Sequence, residues 1–270
     1  MNVIALTYVD LIIAASLVLG LAGVSILLQL NISNKIIIAA LRTTIQLTLI
    51  GFVLKTLFEH SQLSWVLLLS LIMLLIAGYE VMARQTHRFK GAWAYGIGSF
   101  SMFISSFTVA IFALTLVVQP EPWYQPQYAI PLLGMLLGNT MTGIALGVNH
   151  LTFTTVQQQN NIEARLLLGQ TWKQAISDIQ RQSVRVGLIP IINAMAAAGI
   201  VSLPGMMTGQ ILSGTPPLEA VKYQILIMFL ISAGTGMGTI AASYFSAQRL
   251  FDKRHRLRID RLQRVENHPQ

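Results

Sequence analysis

A few charged and amide side chains interrupt the long apolar stretches of this chain, and they are the first candidates for chemistry. Arg42 and Gln46 stand four residues apart in one apolar stretch, and Glu80 lies near the end of another. Ionisable groups in such surroundings usually face a partner or an aqueous path. Arg42 and Glu80 would then form a charge pair at the mouth of that path. In the alternative, the Arg42 side chain extends to the membrane interface beside Lys35, and Glu80 lies at a helix end near Arg84.

Amide and hydroxyl groups form a second candidate set in two further apolar stretches. They are Asn139, Thr140, Thr142 and Asn193. Such groups line polar pathways, and they also join helices that approach closely through small residues. Both interpretations remain open at this point.

The chain offers few ligands for a soft or nitrogen-preferring metal ion. It has no cysteine, five scattered histidines and 11 methionines. Methionine thioethers suit soft ions such as Cu(I) but usually serve packing, whereas iron or aluminium prefers oxygen donors. The sequence therefore leaves the ligands of any metal unknown.

The segment 203–219 contains two helix breaks, at Pro204-Gly205 and at Thr215-Pro216-Pro217. Broken backbone at membrane depth is tolerated where it lines a cavity. Pro204 and Gly205 would then belong to a re-entrant gate. An ordinary turn at the end of a helix is the alternative.

The stretch 150–186 is unusually polar for this chain and contains a helical pattern. Apolar or small residues recur at gaps of three and four, at Ile162, Leu166, Gly169, Trp172, Ile176 and Ile179. This period predicts a helix, or a pair of helices turned at Gly169, with one buried face.

The elements that carry these residues are predicted to be membrane-spanning helices. The chain is 54% hydrophobic and only 10% charged, which leaves too little polar surface for a soluble globule of 270 residues. A helix crosses the bilayer core with about 20 apolar residues. Seven such runs, at 4–30, 36–57, 63–82, 94–118, 129–148, 187–207 and 221–247, predict an all-α polytopic membrane protein.

The basic residues predict its orientation. Fifteen of the 18 Lys and Arg residues fall in the alternate loops and the C-terminal segment that share one side of a seven-span threading. Cytoplasmic loops carry this excess, so the N-terminus is predicted outside and the C-terminus in the cytoplasm. The charge of +8 is then a topology signal, and nucleic-acid binding is not expected. Residues 1–248 are predicted to form one membrane domain with the cytoplasmic loop 150–186, and residues 249–270 a basic tail that includes a surface helix on anionic lipid.

The sequence Glu163-Ala-Arg-Leu-Leu-Leu-Gly169 resembles the EAA loop of ABC-transporter permeases, with Arg165 where the pattern has a second alanine. The resemblance implies a coupling helix that docks into a cleft on a cytosolic ATPase. The residues predicted to form it are Glu163, Ala164, Arg165, Leu166, Gly169 and Trp172.

The chain also resembles the FetB-type permease family over nearly its full length. The resemblance is carried by the stretches 42–47, 130–142, 163–169, 191–193 and 199–212. It implies an ATP-dependent exporter of iron or another metal, located in the plasma membrane (the inner membrane of a bacterium), with plant relatives linked to aluminium tolerance. It also implies two copies of this chain around one pathway.

The sequence has no GxxxxGK[ST] phosphate loop, so hydrolysis of ATP is assigned to a separate partner chain. The chain itself is predicted not to be an enzyme and to bind no cofactor. The alternative function is an ion-coupled carrier or channel that works without an ATPase. Such a carrier should show inverted repeats and an acidic residue at mid-membrane, and neither is evident.

Overall fold

A computed structural model describes residues 6–59 and 61–264 of the chain. Residues 4–5 of the first predicted span and 265–270 of the predicted tail therefore lie outside the described residues. The helices are α1 Tyr8–Leu27, α2 Ser33–Glu59, α3 Leu63–Ala83, α4 Trp93–Met102, α5 Thr108–Phe112, α6 Pro126–Gln157, α7 Gln159–Leu167, α8 Trp172–Ala197, α9 Gly205–Leu212 and α10 Pro217–Arg249. The predicted all-α class is confirmed.

The π-helical segment Phe103–Phe107 joins α4 to α5, and a second one, Ala113–Val118, continues the helical run after α5. Several helix starts follow local rules. At α1 the backbone N–H of Thr7 donates to Asp10 at 2.8 Å, and α6 and α10 each begin with a proline. Proline suits the first turn because that turn needs no backbone donor.

Six helical segments of the described chain are long and apolar enough to cross a membrane: Tyr8–Leu27, Ser33–Glu59, Leu63–Ala83, Trp93–Val118, Pro126–Gln157 and Pro217–Arg249. Helix α8 has 26 residues but is not among the six, and its first 14 residues include Lys173, Asp178, Arg181 and Arg185. The total of seven spans therefore stays a prediction.

The prediction of one spanning helix over 187–207 is wrong. Helix α8 ends at Ala197, Ala198 is extended, and α9 begins only at Gly205. Pro204 explains much of the break because it has no backbone N–H and disfavours a helical residue before it. The apolar run is thus divided between two helices.

The chain forms two compact units. Residues 6–59, 61–62 and 212–214 belong to the first, in which α1 packs against α2. Residues 63–211 and 215–264 belong to the second, where the long helix α6 packs against α3, α8 and α10. The predicted coupling residues and the C-terminal segment both lie in this second unit.

Small residues bring α6, α8 and α10 into close contact at the centre of the second unit. A Cβ placed on Gly187 of α8 would lie 2.5 Å from the carbonyl oxygen of Gly143 in α6 and 2.6 Å from Cγ2 of Thr239 in α10. Close approach through glycine is a common way for helices to associate in membranes. It fixes the polar first half of α8 relative to α6 and α10.

The C-terminal segment does not form the predicted surface helix. After α10, strand β2 (Leu262–Arg264) pairs antiparallel with β1 (His87–Phe89), which lies between α3 and α4. Leu250, Phe251 and Leu262 are buried. Their burial explains the correction, because the apolar residues of this segment face the protein and not a lipid surface.

Candidate functional site

The predicted coupling residues form a helix-turn-helix at the junction of α7 and α8. Helix α7 ends at Leu167, and Gly169 adopts φ +87°, a left-handed conformation that favours glycine at the end of a helix. The amide of Gly169 donates to the carbonyl of Leu166 at 3.0 Å, and that of Gln170 to Arg165 at 3.2 Å. The chain then re-enters a helix at Trp172. We call residues 163–172 the coupling turn.

Arg165 joins the two helices of the coupling turn. Its guanidinium Nη1 lies 3.1 Å from Oδ2 of Asp178 on α8 and donates at 3.3 Å to the carbonyl of Ala175. A second alanine at this position, as in the EAA pattern, would provide neither contact. The departure from the pattern therefore has a structural role here.

Trp172 anchors the base of the coupling turn to the rest of the second unit. Its ring stacks on Phe251 with centroids 5.8 Å apart and lies 6.3 Å from Tyr244 of α10. Its backbone N–H donates to His255 Nδ1 at 3.4 Å. The C-terminal segment thus supports the residue that begins α8.

The same turn has a buried face and an exposed apolar tip. Ile162, Ile176 and Ile179 are buried, as the helical period predicted. Leu167 and Leu168 are 89% and 83% exposed. Two adjacent leucines are thus held exposed on a braced turn.

Glu163 and Ala164 lie on the exposed side of α7, and Leu166 is half-buried. Oε1 of Glu163 accepts a hydrogen bond from Gln159 Nε2 at 2.8 Å, one turn earlier on the same helix. The carboxylate is thus held by α7 itself and stays available to solvent. The six predicted coupling residues fall on one short helix, its turn and the first residue of α8.

The predicted pathway residues are divided between the two units. Arg42 and Gln46 are exposed one turn apart on α2, in the first unit. Glu80 belongs to the second unit, where its carboxylate lies 3.8 Å from Arg84, the residue that follows the end of α3. This ion pair agrees with the alternative that set Glu80 beside Arg84.

The polar set on α6 and α8 separates into two groups. Thr140 is fully buried against α10, next to Gly234 and Gly238. Asn139 lies on the exposed side of α6, where its amide Nδ2 donates to the carbonyl of Met135 at 2.8 Å.

Two further members of this polar set lie away from the buried joint. The hydroxyl of Thr142 donates to Gly138 at 3.1 Å and remains partly exposed. Asn193 is exposed on the second half of α8. Thr140 is therefore a packing residue, whereas Asn139, Thr142 and Asn193 present polar groups outward from helices that are otherwise apolar.

Pro204 and Gly205 lie at the start of α9, after the turn that ends α8. The hydroxyl of Thr208 donates to the Pro204 carbonyl at 3.2 Å, which closes the first turn of this short helix. A second break follows at residues 213–216, before α10. Both predicted helix breaks are present; whether they form a gate or an ordinary turn stays open.

A group of buried hydroxyls went unrecognised in the sequence. Ser101, Ser106, Thr235, Thr239, Ser243 and Ser246 are buried in the second unit, and their hydroxyl oxygens have no hydrogen-bond partner among the described residues. A Ser, Thr or Gly recurs every three or four residues in 234–246 of α10, and that spacing was the available signal. These hydroxyls lie along the closely packed contacts between α4, α6 and α10.

Within the described residues, no group of three or more His, Asp or Glu side chains is placed to hold a metal ion. The clearest candidate feature of the described residues is a structural one. A braced helical turn projects two leucines from a bundle of apolar helices.

The fold defines a multi-pass α-helical membrane protein. The family model described as "Uncharacterised protein family (UPF0014)" matches residues 8–251, and the chain belongs to that family. The expected relationship to the FetB-type permeases is confirmed.

Three relatives illustrate the range of the family. A UPF0014 membrane protein of Synechocystis sp. is 40% identical over 245 residues, 89% of this chain and 94% of its own. The probable iron export permease protein FetB of Escherichia coli is 32% identical over 258 residues, 92% and 95% of the two chains. Protein ALUMINUM SENSITIVE 3 of Arabidopsis thaliana is 32% identical over 247 residues, 90% and 88%. No solved structure gives a significant match.

Proposed function

We propose that this chain is the membrane-spanning permease subunit of an ATP-driven ABC-type exporter. The observation that carries the proposal is the coupling turn, in which Leu167 and Leu168 stand exposed on a base braced by Arg165 and Trp172. A soluble ATPase can transmit motion to a bundle of membrane helices only through a contact that is apolar enough to bind and rigid enough to move as a unit.

Charge around the coupling turn adds to this support. A hollow of about 510 Å³ beside it is lined by residues that include Arg165, Lys173, Asp178 and Arg181. Basic side chains next to an apolar tip suit an acidic rim around an apolar cleft on the partner. ATP would be bound and hydrolysed by that separate chain.

The outward polar groups Asn139, Thr142 and Asn193 support the second part of the proposal, a homodimer around one pathway. Amide groups facing lipid are costly, and a second copy or an aqueous path would satisfy the Asn193 amide and the amide oxygen of Asn139, whose Nδ2 already donates to Met135. The names of the relatives in E. coli and Arabidopsis point to iron or another metal as cargo. We further propose that the chain lies in the bacterial inner membrane, with its N-terminus outside and its C-terminus in the cytoplasm.

Co-purification with a candidate P-loop ATPase from the same organism tests the coupling turn. The variant Leu167→Asp/Leu168→Asp should lose the complex and the stimulated ATP turnover while keeping the membrane fold. Ile200→Asp/Val201→Asp is the matched control, because these residues are 89% and 82% exposed at the other end of α8. That control should retain the complex.

An intact complex with Leu167→Asp/Leu168→Asp would contradict the assignment of the coupling turn. Transport without any ATPase, driven by an ion gradient in vesicles that hold only this chain, would favour the secondary carrier instead. The metal content of cells with and without the chain identifies the cargo. Unchanged content of iron and of every other metal measured would contradict a metal exporter.

A further inference from the structure

A large groove in the second unit lies apart from the exposed tip of the coupling turn, although Trp172 at the base of that turn is one of its lining residues. It lies where α4 begins and α10 ends, and its volume is about 1180 Å³. Both helices belong to segments that are long and apolar enough to cross a membrane. The groove therefore opens where a protein surface meets the boundary between lipid and water.

The floor of the groove is aromatic and apolar. Trp93, Ile97 and Phe100 contribute from α4, and Phe245 contributes from α10. The rings of Phe100 and Phe245 are 5.9 Å apart, and the Phe100 and Trp93 side chains are both about half exposed. At 1.5 Å per helical residue, Phe100 lies about 10 Å along the helix from Trp93. That is deeper than one headgroup layer, which is roughly 5–8 Å thick, so the floor reaches the depth of acyl chains.

The rim of the groove is basic. It contains Arg249, Lys253, Arg254, Arg256 and Arg261, against the single carboxylate of Asp252. This carboxylate is already engaged: the Arg256 backbone N–H and side chain and the Arg254 backbone N–H lower the pKa of Asp252 to about 2. The rim thus has a clear excess of positive charge.

The individual cations are held by neighbouring groups but are not neutralised. The guanidinium of Arg249 lies 4.5 Å from the centroid of the Trp93 ring. Arg261 donates through Nη1 to the carbonyls of Arg249 and Phe251, at 2.7 and 3.1 Å. In the described part of the chain no carboxylate forms an ion pair with Arg249, Lys253 or Arg254.

We propose that this groove binds an anionic membrane phospholipid, with its phosphate at the basic rim and an acyl chain along Trp93, Phe100 and Phe245. An apolar floor below a cationic rim matches the two parts of such a lipid, and basic pockets beside membrane helices suit anionic headgroups. A small soluble anion would use the rim and leave the aromatic floor exposed to water. The proposal does not depend on the identity of the transporter.

The position of the groove gives the lipid a structural role. The rim belongs to the segment after α10, whose strand β2 is tied to β1 and whose Phe251 stacks on Trp172. A bound anion would offset repulsion among the rim cations and so stabilise the docked segment.

Native mass spectrometry of the purified chain tests the proposal. One sample mixes the chain with vesicles of phosphatidylglycerol, and a second uses phosphatidylcholine with identical acyl chains. A third sample contains soluble glycerol phosphate. The wild type should retain phosphatidylglycerol preferentially, and Tm should rise with it. Lys253→Gln/Arg254→Gln changes two exposed side chains and should weaken retention roughly tenfold or more, because each cation near an anionic surface contributes a factor of about five. Arg181→Gln/Arg185→Gln, which changes two exposed arginines of α8 outside the groove, is the charge-matched control.

Several results would overturn the proposal. Equal retention of the two lipids would show an apolar surface without headgroup recognition. A rise in Tm with glycerol phosphate equal to the rise with phosphatidylglycerol would show a soluble-anion site. Arg249→Gln provides an independent check, since retention that survives both this variant and Lys253→Gln/Arg254→Gln would exclude the basic rim.

Discussion

Nη1 of Arg165 lies 3.1 Å from Oδ2 of Asp178, and the same nitrogen donates to the carbonyl of Ala175. One side chain of α7 thereby contacts two successive turns of α8 across the glycine turn. The coupling turn is held by this contact and by the helix termini on either side of it. Its rigidity should therefore depend on Arg165 more than on Asp178.

Arg165→Ala removes the ion pair and the hydrogen bond to the carbonyl, whereas Asp178→Asn removes only the charge pair. Because both side chains are partly exposed, the ion pair itself should contribute only about 0.5 kcal/mol to the free energy of unfolding. The measurement is stimulated ATP turnover together with Tm for both variants. Turnover should fall more in Arg165→Ala, and the exchanged pair Arg165→Asp/Asp178→Arg should recover part of it. Equal turnover in the two single variants would contradict this role.

Gly169→Ala should weaken coupling without unfolding the bundle. The position has φ +87° and open space around it, so the change adds backbone strain of about 1 kcal/mol and no steric clash. Gly169→Asn should be milder, since asparagine tolerates the left-handed region better. Gly91→Ala is the control, because Gly91 also has positive φ and open space but lies between β1 and α4. A loss of stimulated turnover in the control equal to that in Gly169→Ala would contradict a specific role for the coupling turn.

Gly187→Ala should strongly destabilise the second unit. The added methyl would meet the Gly143 carbonyl and Thr239, and backbone atoms cannot move aside as a flexible side chain can. Overpacking of this kind costs roughly 1–3 kcal/mol or more. Gly236→Ala on α10 meets nothing within 4 Å and should leave thermal unfolding in detergent nearly unchanged. Similar Tm values for the two variants would show that the close joint is not a stability determinant.

Acidification should loosen the pairing of β1 with β2. Burial, and then the nearby charge of Arg264, lower the pKa of His87 below its usual value. A lowered folded-state pKa contributes stability that is fully present above pH 6.5, the ordinary value, and is lost as the pH falls through the folded-state value. Hydrogen exchange of the amides of residues 87–89 should therefore accelerate as the pH falls below 6.5, after correction for intrinsic rates.

His87→Phe keeps a ring against Phe153, which lies 5.8 Å away between centroids, but cannot be protonated. Exchange in this variant should lose the additional acid dependence. An unchanged acid dependence in His87→Phe would assign the effect to another group.

Much of the fold follows from local sequence. Runs of about 20 apolar residues require helices because an unpaired backbone group in lipid is costly. Six of the seven predicted runs, all except 187–207, correspond to helical segments of the described chain that are long and apolar enough to cross a membrane. The turn at Gly169 was also predictable, because a glycine interrupts a helical period there. The run 187–207 is apolar across the break, so hydropathy gave no sign that the helix ends at Ala197. Within the break, every residue except Gly199 and Pro204 is compatible with a helix.

The sequence by itself determined that this is a helical membrane protein and where its polar loop folds into a turned pair of helices, because period, length and glycine position act locally. Only the tertiary structure decided what Arg165 contacts, which face of α6 buries Thr140, and that the basic C-terminal segment pairs with β1 and borders a groove. Those outcomes join residues far apart in the chain. They depend on which helices pack together, and the amphipathic pattern of a single segment cannot distinguish a lipid surface from the side of a neighbouring helix.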